Sequence, residues 1–199
     1  MRQEGRGLLA PSPVMVTLTA GDKAYVGRLA EERIRRRGYS RSADVWRRGV
    51  VANPVEVGTR GEVAVGEYLT RRLGWNCRPD LSPSERGDGD VDISVRGVKI
   101  QVKTCARKDG ANLIRRADRV RGLRPLTSDL FVFAHVTADG VALRGWVTRD
   151  DVIQCPFGKA RVPGADWSNL EIPSERLRPM SDLPVRIRNM VERTKGTKL

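Results

Sequence analysis

The sequence predicts an α/β fold in which a mixed, mainly antiparallel sheet is flanked by helices. Two stretches of helical periodicity come first, two hairpins of alternating polarity follow them, and the 199 residues are enough for one buried core. Residues 1–20 carry few structural signals and read as a loosely held arm. Asp22 opens a helix that runs to Arg37, with Tyr25, Val26, Leu29, Ala30 and Ile34 on one side and Gly38 as its stop. The other side carries Arg33, Arg35, Arg36 and Arg37, continued by Arg41, Arg47 and Arg48, as a solvated face or a surface that tracks phosphates.

After Asn53-Pro54 and Gly58, residues 61–73 have helical periodicity and end at Gly74. At about 100° per residue, Glu62, Val65, Gly66, Leu69 and Leu73 form one stripe, which puts Glu62 on the packing face. Glu67 falls with Val63, Thr70 and Arg71 on the wetter side, and Gly66 allows a close approach to whatever the helix covers. A carboxylate at the buried edge of a helix needs a metal, a cation or a hydrogen-bond donor as partner.

Short strands are expected at 75–78, 90–95 and 98–104, the last two joined by Arg96-Gly97 as a two-residue hairpin. Residues 107–127 are basic and expected to be partly helical, with Arg115, Arg116, Arg119, Arg121 and Arg124. A second hairpin pairs 130–136 with 141–147, and Thr148 with Asp151 starts a short helix through a variant of the capping box. From Pro156 onward, proline, glycine and charge predict irregular structure ending in a short basic helix or tail. The chain thus divides into an N-terminal arm and helical extension (1–57), a core (58–155) and an irregular basic C-terminal extension (156–199).

Composition narrows the chemistry. Thirty-seven Lys and Arg against twenty-four Asp and Glu give +13, with Arg ahead of Lys, and favour a phosphate-rich partner, nucleic acid first. A generally basic proteome is the plainer source of such an excess. Cys77, Cys105 and Cys155 form no CxxC pair and His135 is the only histidine, which argues against structural zinc, a disulfide framework, and Ser-His-Asp or Cys-His catalysis. His135 alternates with Phe131 and Phe133 and reads as a core or edge residue; Trp75, Trp146 and Trp167 read as packing residues. No run of fifteen apolar residues is present and the prolines near the start break any signal-like segment, so neither a membrane span nor a secretory leader is expected, and the cytoplasm is the expected compartment.

The first hairpin concentrates the polar groups. A two-residue turn pairs Val95 with Val98 and Ile93 with Ile100; continued, the same register sets Asp92 opposite Gln101, and Asp90 opposite Lys103. Asp90, Asp92, Gln101 and Lys103 then share one surface, and Val91, Ile93, Ile100 and Val102 the other. Taken alone, these pairs also fit a cross-strand salt bridge and a hydrogen-bonded surface pair. Glu62 on the packing side of its helix is harder to explain as decoration.

A helix glutamate, a strand aspartate and Gln-x-Lys on the next strand resemble the PD-(D/E)xK nuclease superfamily, in its variant with Gln at the acidic position of the third motif. The matching stretches are Gly58-Thr59-Arg60-Gly61-Glu62, Gly87-Asp88-Gly89-Asp90-Val91-Asp92-Ile93 and Ile100-Gln101-Val102-Lys103-Thr104, and later strands at 130–133 and 145–147 resemble those of phage-type and junction-resolvase-like members. The match spans residues 58–153. It implies a restriction-endonuclease-like sheet and Mg²⁺-dependent hydrolysis of DNA phosphodiesters, with Mn²⁺ as substitute. In that frame Asp92 binds the metal, Gln101 supplies a neutral oxygen or orients water, Glu62 completes the site through water, and the Val102 carbonyl is a further ligand. Lys103 would position the attacking water and stabilise charge on the phosphoryl group.

Two departures are present: Val91 stands where the family's proline is usual, and Gln101 removes a negative charge. Asp90 is then an auxiliary acid, and Glu67 the alternative helix acid. Arg60, Arg86, Arg115, Arg116 and Arg119 are the expected phosphate contacts. Junction or branched DNA is the substrate class implied by the nearest variants, a phage origin would place the protein in the host cytoplasm, and a two-fold homodimer is the simplest assembly for paired cuts. The alternative from another class is a noncatalytic nucleic-acid-binding protein that keeps the fold and the charge.

Overall fold

A five-stranded sheet forms the centre of the computed structural model, which describes residues 9–37, 53–79, 91–106, 110–118, 122–123, 125–155, 157–158 and 167–196. Its strands are β1 (Val14–Val16), β2 (Ile93–Val95), β3 (Val98–Cys105), β6 (Leu130–Val136) and β7 (Val141–Thr148), in the order β1-β7-β6-β3-β2. Every neighbouring pair is antiparallel except β3 with β6. That one parallel pair needs a crossover, and the chain between them supplies β4 (Asn112–Asp118) and β5 (Gly122–Leu123) to a second sheet, completed by β8 (Phe157–Gly158) and β9 (Trp167–Ile172) in the order β5-β4-β9-β8.

Alternation along β6 sends Leu130, Val132 and Ala134 to one core and Phe131 and Phe133 to another. The first core lies under α1 (Ala20–Arg37), α2 (Pro54–Leu73) and α4 (Leu183–Gly196), while the second joins β6 and β7 to Ile114 of β4, Leu170 and Ile172 of β9, and Val152 of α3 (Arg149–Ile153). The chain is therefore a mixed α/β fold whose five-stranded sheet is flanked by helices. No described helix is long and apolar enough to cross a membrane.

Helices α1, α2 and α3 start at caps. Thr19 opens α1: its hydroxyl accepts from Asp22 N–H (3.2 Å), and Asp22 Oδ2 accepts from Thr19 N–H (2.9 Å) and its hydroxyl (2.7 Å). The helix begins two residues before the sequence reading placed it because Thr19-x-x-Asp22 is the same signal that was recognised at Thr148-x-x-Asp151, where both halves of the capping box are formed. At α2 the difference is two turns. Asn53 Oδ1 accepts from Val55 N–H (3.0 Å) and Pro54 takes the first turn, where a missing N–H costs nothing, so Gly58 lies inside the helix rather than before it.

Other expectations change with partners distant in sequence. Residues 75–78 form no strand; Trp75 instead lies under the Arg96 guanidinium at the hairpin turn, 4.0 Å from ring centroid to Cζ. Residues 112–118 are a strand, not a helix, because β9 pairs with them from Asn112↔Ile172 to Asp118↔Trp167. Among the described residues of the C-terminal region, 167–172 are not irregular but form β9 of the second sheet, and the expected basic helix is α4, whose Leu183, Ile187 and Val191 enter the first core. Tyr68 Oη donates to Met180 C=O (2.7 Å) and Trp146 Nε1 to Pro179 C=O (2.9 Å), tying this region to α2 and β7. The apolar strand β6 is interior, flanked by β3 and β7.

Candidate active site

The hairpin forms in the expected register, Ile93↔Ile100 and Val95↔Val98, across an Arg96-Gly97 turn with φ of 49° and 91°. These are the left-handed values that two-residue turns require. The ladder stops at Ile93. Asp92 does not continue it opposite Gln101: its N–H donates to Ile100 C=O (2.9 Å), and its Oδ2 accepts from Val102 N–H (2.7 Å). The carboxylate thereby stands in for a strand carbonyl at the point where the edge of the sheet opens.

Glu62 reaches the same place from α2. Gly61 makes this possible: a Cβ there would lie 1.9 Å from Thr104 Oγ1 and 2.9 Å from Thr104 Cβ, so the helix backbone sits directly on the end of β3. The Glu62 side chain is 8% exposed and is met by Arg33 of α1, with Nη1 to Oε1 at 2.8 Å and Nη2 to Oε2 at 2.6 Å. Arg33 Nη1 also donates to Thr59 Oγ1 (3.3 Å). Arg33 is thus neither a solvated nor a phosphate-tracking arginine but the cation that a buried carboxylate requires.

Electrostatics tie these groups to Asp92. Burial first, and the Glu62 charge second, push the Asp92 carboxyl up to about 7, while the Val102 N–H, Lys103 and Arg33 pull it back. Burial pulls the Arg33 guanidinium down, but the hydrogen bonds and charge of Glu62, with Asp92 behind them, more than offset it. Glu62, Asp92, Lys103 and Arg33 therefore share one electrostatic neighbourhood.

Gln101 is buried, and it and Lys103 project from the side of β3 opposite Ile100 and Val102, which point into the first core. Glu67, placed by sequence on the wetter side, is 8% exposed because nine consecutive residues of α2, from Gly61 to Leu69, are buried. It pairs with Arg78, whose Nε and Nη2 donate to Oε1 at 2.9 and 2.7 Å and whose Nη2 also reaches Asp22 at 3.4 Å. That network belongs to the joint between α1, α2 and the chain after α2. Arg60 pairs with Glu56 one turn earlier (2.9 Å). Arg115 and Arg116 lie on β4, whereas Arg86, Asp90 and Arg119 lie outside the described residues.

Among the described residues no three His, Cys, Asp or Glu side chains converge as a metal-holding group. The two carboxylates that act on each other here, Asp92 and Glu62, suit a hard cation that keeps several waters, as Mg²⁺ does with one or two protein carboxylates. Burial first and the Glu62 charge second raise the Asp92 carboxyl, and the second of these is a repulsion that a divalent cation would relieve. Sequence reading missed Arg33 and Thr59; the buried Glu62 implied a partner without choosing among the arginines of α1. No protein-family model matches the chain, and no significantly similar curated protein or solved structure was found.

Proposed function

We propose that this protein is a metal-dependent nuclease that hydrolyses DNA phosphodiester bonds. The observation that carries this reading is the position of Asp92 at the end of the hairpin ladder, its Oδ2 accepting from Val102 N–H beside Lys103 of the same strand, with the buried Glu62 acting on its charge from α2. Two acids forced together beside a lysine are arranged for charge that arrives with a ligand, not for their own stability. The order of parts, Glu62 on α2, Asp92 before β2 and Gln101-x-Lys103 on β3, with β6 parallel to β3, supports assigning the sheet to the restriction-endonuclease-like class.

Asp92, Gln101, the Val102 carbonyl and, through water, Glu62 would hold Mg²⁺, with Mn²⁺ as substitute. When bound, the cation lowers the pKa of water and neutralises charge on the phosphate oxygens. Lys103 supplies a fixed ammonium for the charge that builds on the phosphoryl group. Glu62, fixed by Arg33, keeps lone pairs free to orient a water. The +13 charge attracts the DNA backbone, with Arg60, Arg86, Arg115, Arg116 and Arg119 as proposed contacts.

The test is incubation of the full chain with linear, single-stranded, flapped and four-way DNA in Mg²⁺, Mn²⁺ or EDTA. Cleavage with either metal and none in EDTA is expected. Salt-sensitive DNA binding without cleavage of any substrate in either metal would instead favour a noncatalytic nucleic-acid-binding protein.

A further inference from the structure

Arg33 reaches its partner across 29 residues of sequence and is held from two sides. Glu62 takes both terminal nitrogens, and Thr59 Oγ1, fully buried and itself donating to Val55 C=O (2.8 Å), accepts a further bond. The side chains of Arg33 and Glu62 are 20% and 8% exposed, so water and salt screen the pair weakly. A helix-to-helix fastening alone does not call for ions at this depth, since apolar side chains would join α1 to α2 without the desolvation cost. Val26, Leu29 and Ala30 of α1 are already buried. What distinguishes the position of Arg33 is Asp92, whose charge also acts on the guanidinium.

The bidentate geometry constrains Glu62. Each carboxylate oxygen donates one lone pair to Arg33 and retains another, so Glu62 can accept from water, yet it cannot turn both oxygens to a cation without losing the guanidinium. We propose that Arg33 is the resident counter-ion of the Glu62–Asp92 pair: it keeps the two acids together in the metal-free protein, restricts Glu62 to contact through water, and lowers the affinity of the site for a divalent cation. This inference rests on the reading of Asp92 as a metal ligand.

The sign of the effect separates this role from a structural one. Arg33→Gln removes one positive charge beside the acids, so Mn²⁺ affinity should rise, on the order of tenfold or more, while the metal-free protein loses stability and gains more from Mn²⁺ on thermal unfolding than wild type does. Arg33→Lys keeps the charge without the fork, and its Mn²⁺ affinity should stay within about threefold of wild type.

The experiment titrates Mn²⁺ into the full-length wild type, Arg33→Gln, Arg33→Lys and Asp92→Asn by calorimetry, with unfolding measured in EDTA and in Mn²⁺. Tighter binding by Arg33→Gln supports the proposal, as does an Arg33→Gln variant that folds only when Mn²⁺ is added. Three results overturn the proposal while leaving the metal site standing, provided wild type binds Mn²⁺ and Asp92→Asn does not. They are unchanged or weaker binding by Arg33→Gln, failure of that variant to fold at any Mn²⁺ concentration, and a gain in Arg33→Lys equal to that in Arg33→Gln. Absence of binding in both wild type and Arg33→Gln overturns the metal-site reading and the role of Arg33 together.

Discussion

Asp92 expresses the conflict within the site in a form that pH can read. Its carboxyl rises from an ordinary 3.8 to about 7, through burial first and Glu62 second. A group whose folded pKa exceeds its unfolded value favours the folded state fully below the unfolded pKa, and that contribution is lost as pH rises through the folded one. Asp92→Asn stays neutral throughout. In EDTA it should therefore match wild type below pH 4 and exceed it above pH 7, by on the order of a few kcal/mol. Thermal unfolding across this range reads the difference, and an offset that does not change with pH contradicts it. The pairing of Ile93 with Ile100 and of Val95 with Val98 was legible because a two-residue turn sets a register, and the burial of Glu62 because helical phase puts it on the packing stripe. Arg33 was not, because Arg35, Arg36 and Arg37 follow it closely, and only the packing of α1 on α2 selects one of them. The stop of the ladder at Ile93 was equally hidden: Asp92 can replace a strand carbonyl only where the neighbouring backbone leaves Val102 N–H to it.

At the scale of elements, the contact between α2 and the end of β3 brings Glu62 to the hairpin. In an open helix Gly61→Ala would gain about 1 kcal/mol from propensity. Here the added Cβ meets Thr104 at 1.9 and 2.9 Å, and overpacking of this kind costs about 1–3 kcal/mol, so the net effect should be destabilising. Thr104 Oγ1 is buried without a hydrogen-bond partner, so Thr104→Ala alone should cost little and should partly restore Gly61→Ala. Urea unfolding of the two single variants and the double variant checks this; a neutral or stabilised Gly61→Ala would mean that the helix does not sit on the strand. Hairpins with local turns were legible from sequence. Strand β4 was not, since its partner β9 lies about fifty to sixty residues downstream and an arginine-rich segment shows no alternation of its own. The phase of α2 located Glu62 but misplaced Glu67, because a single-stripe reading assumes one wet side and this helix is covered by the sheet and by both α1 and α4.

Over the whole molecule, the proposed function divides binding and chemistry between different parts. In the proposed reading, positive charge spread along the chain would give the backbone affinity, while the few groups around Asp92 would act on one phosphodiester. The short basic helix at the end of the chain was legible, but its packing was not, because charge is a poor guide to burial: α4 is basic on its outside and delivers Leu183, Ile187 and Val191 to the core. The most direct test of the proposed division compares cleavage and binding of one labelled DNA, the best substrate of the panel, by wild type and Lys103→Ala in Mg²⁺ at equal saturation. Lys103 is half-buried beside the acids, so its loss should leave the dissociation constant within about threefold and slow cleavage by roughly 10²–10³-fold. Cleavage at the wild-type rate, or an equal fall in binding and cleavage by a normally folded variant, would contradict the account.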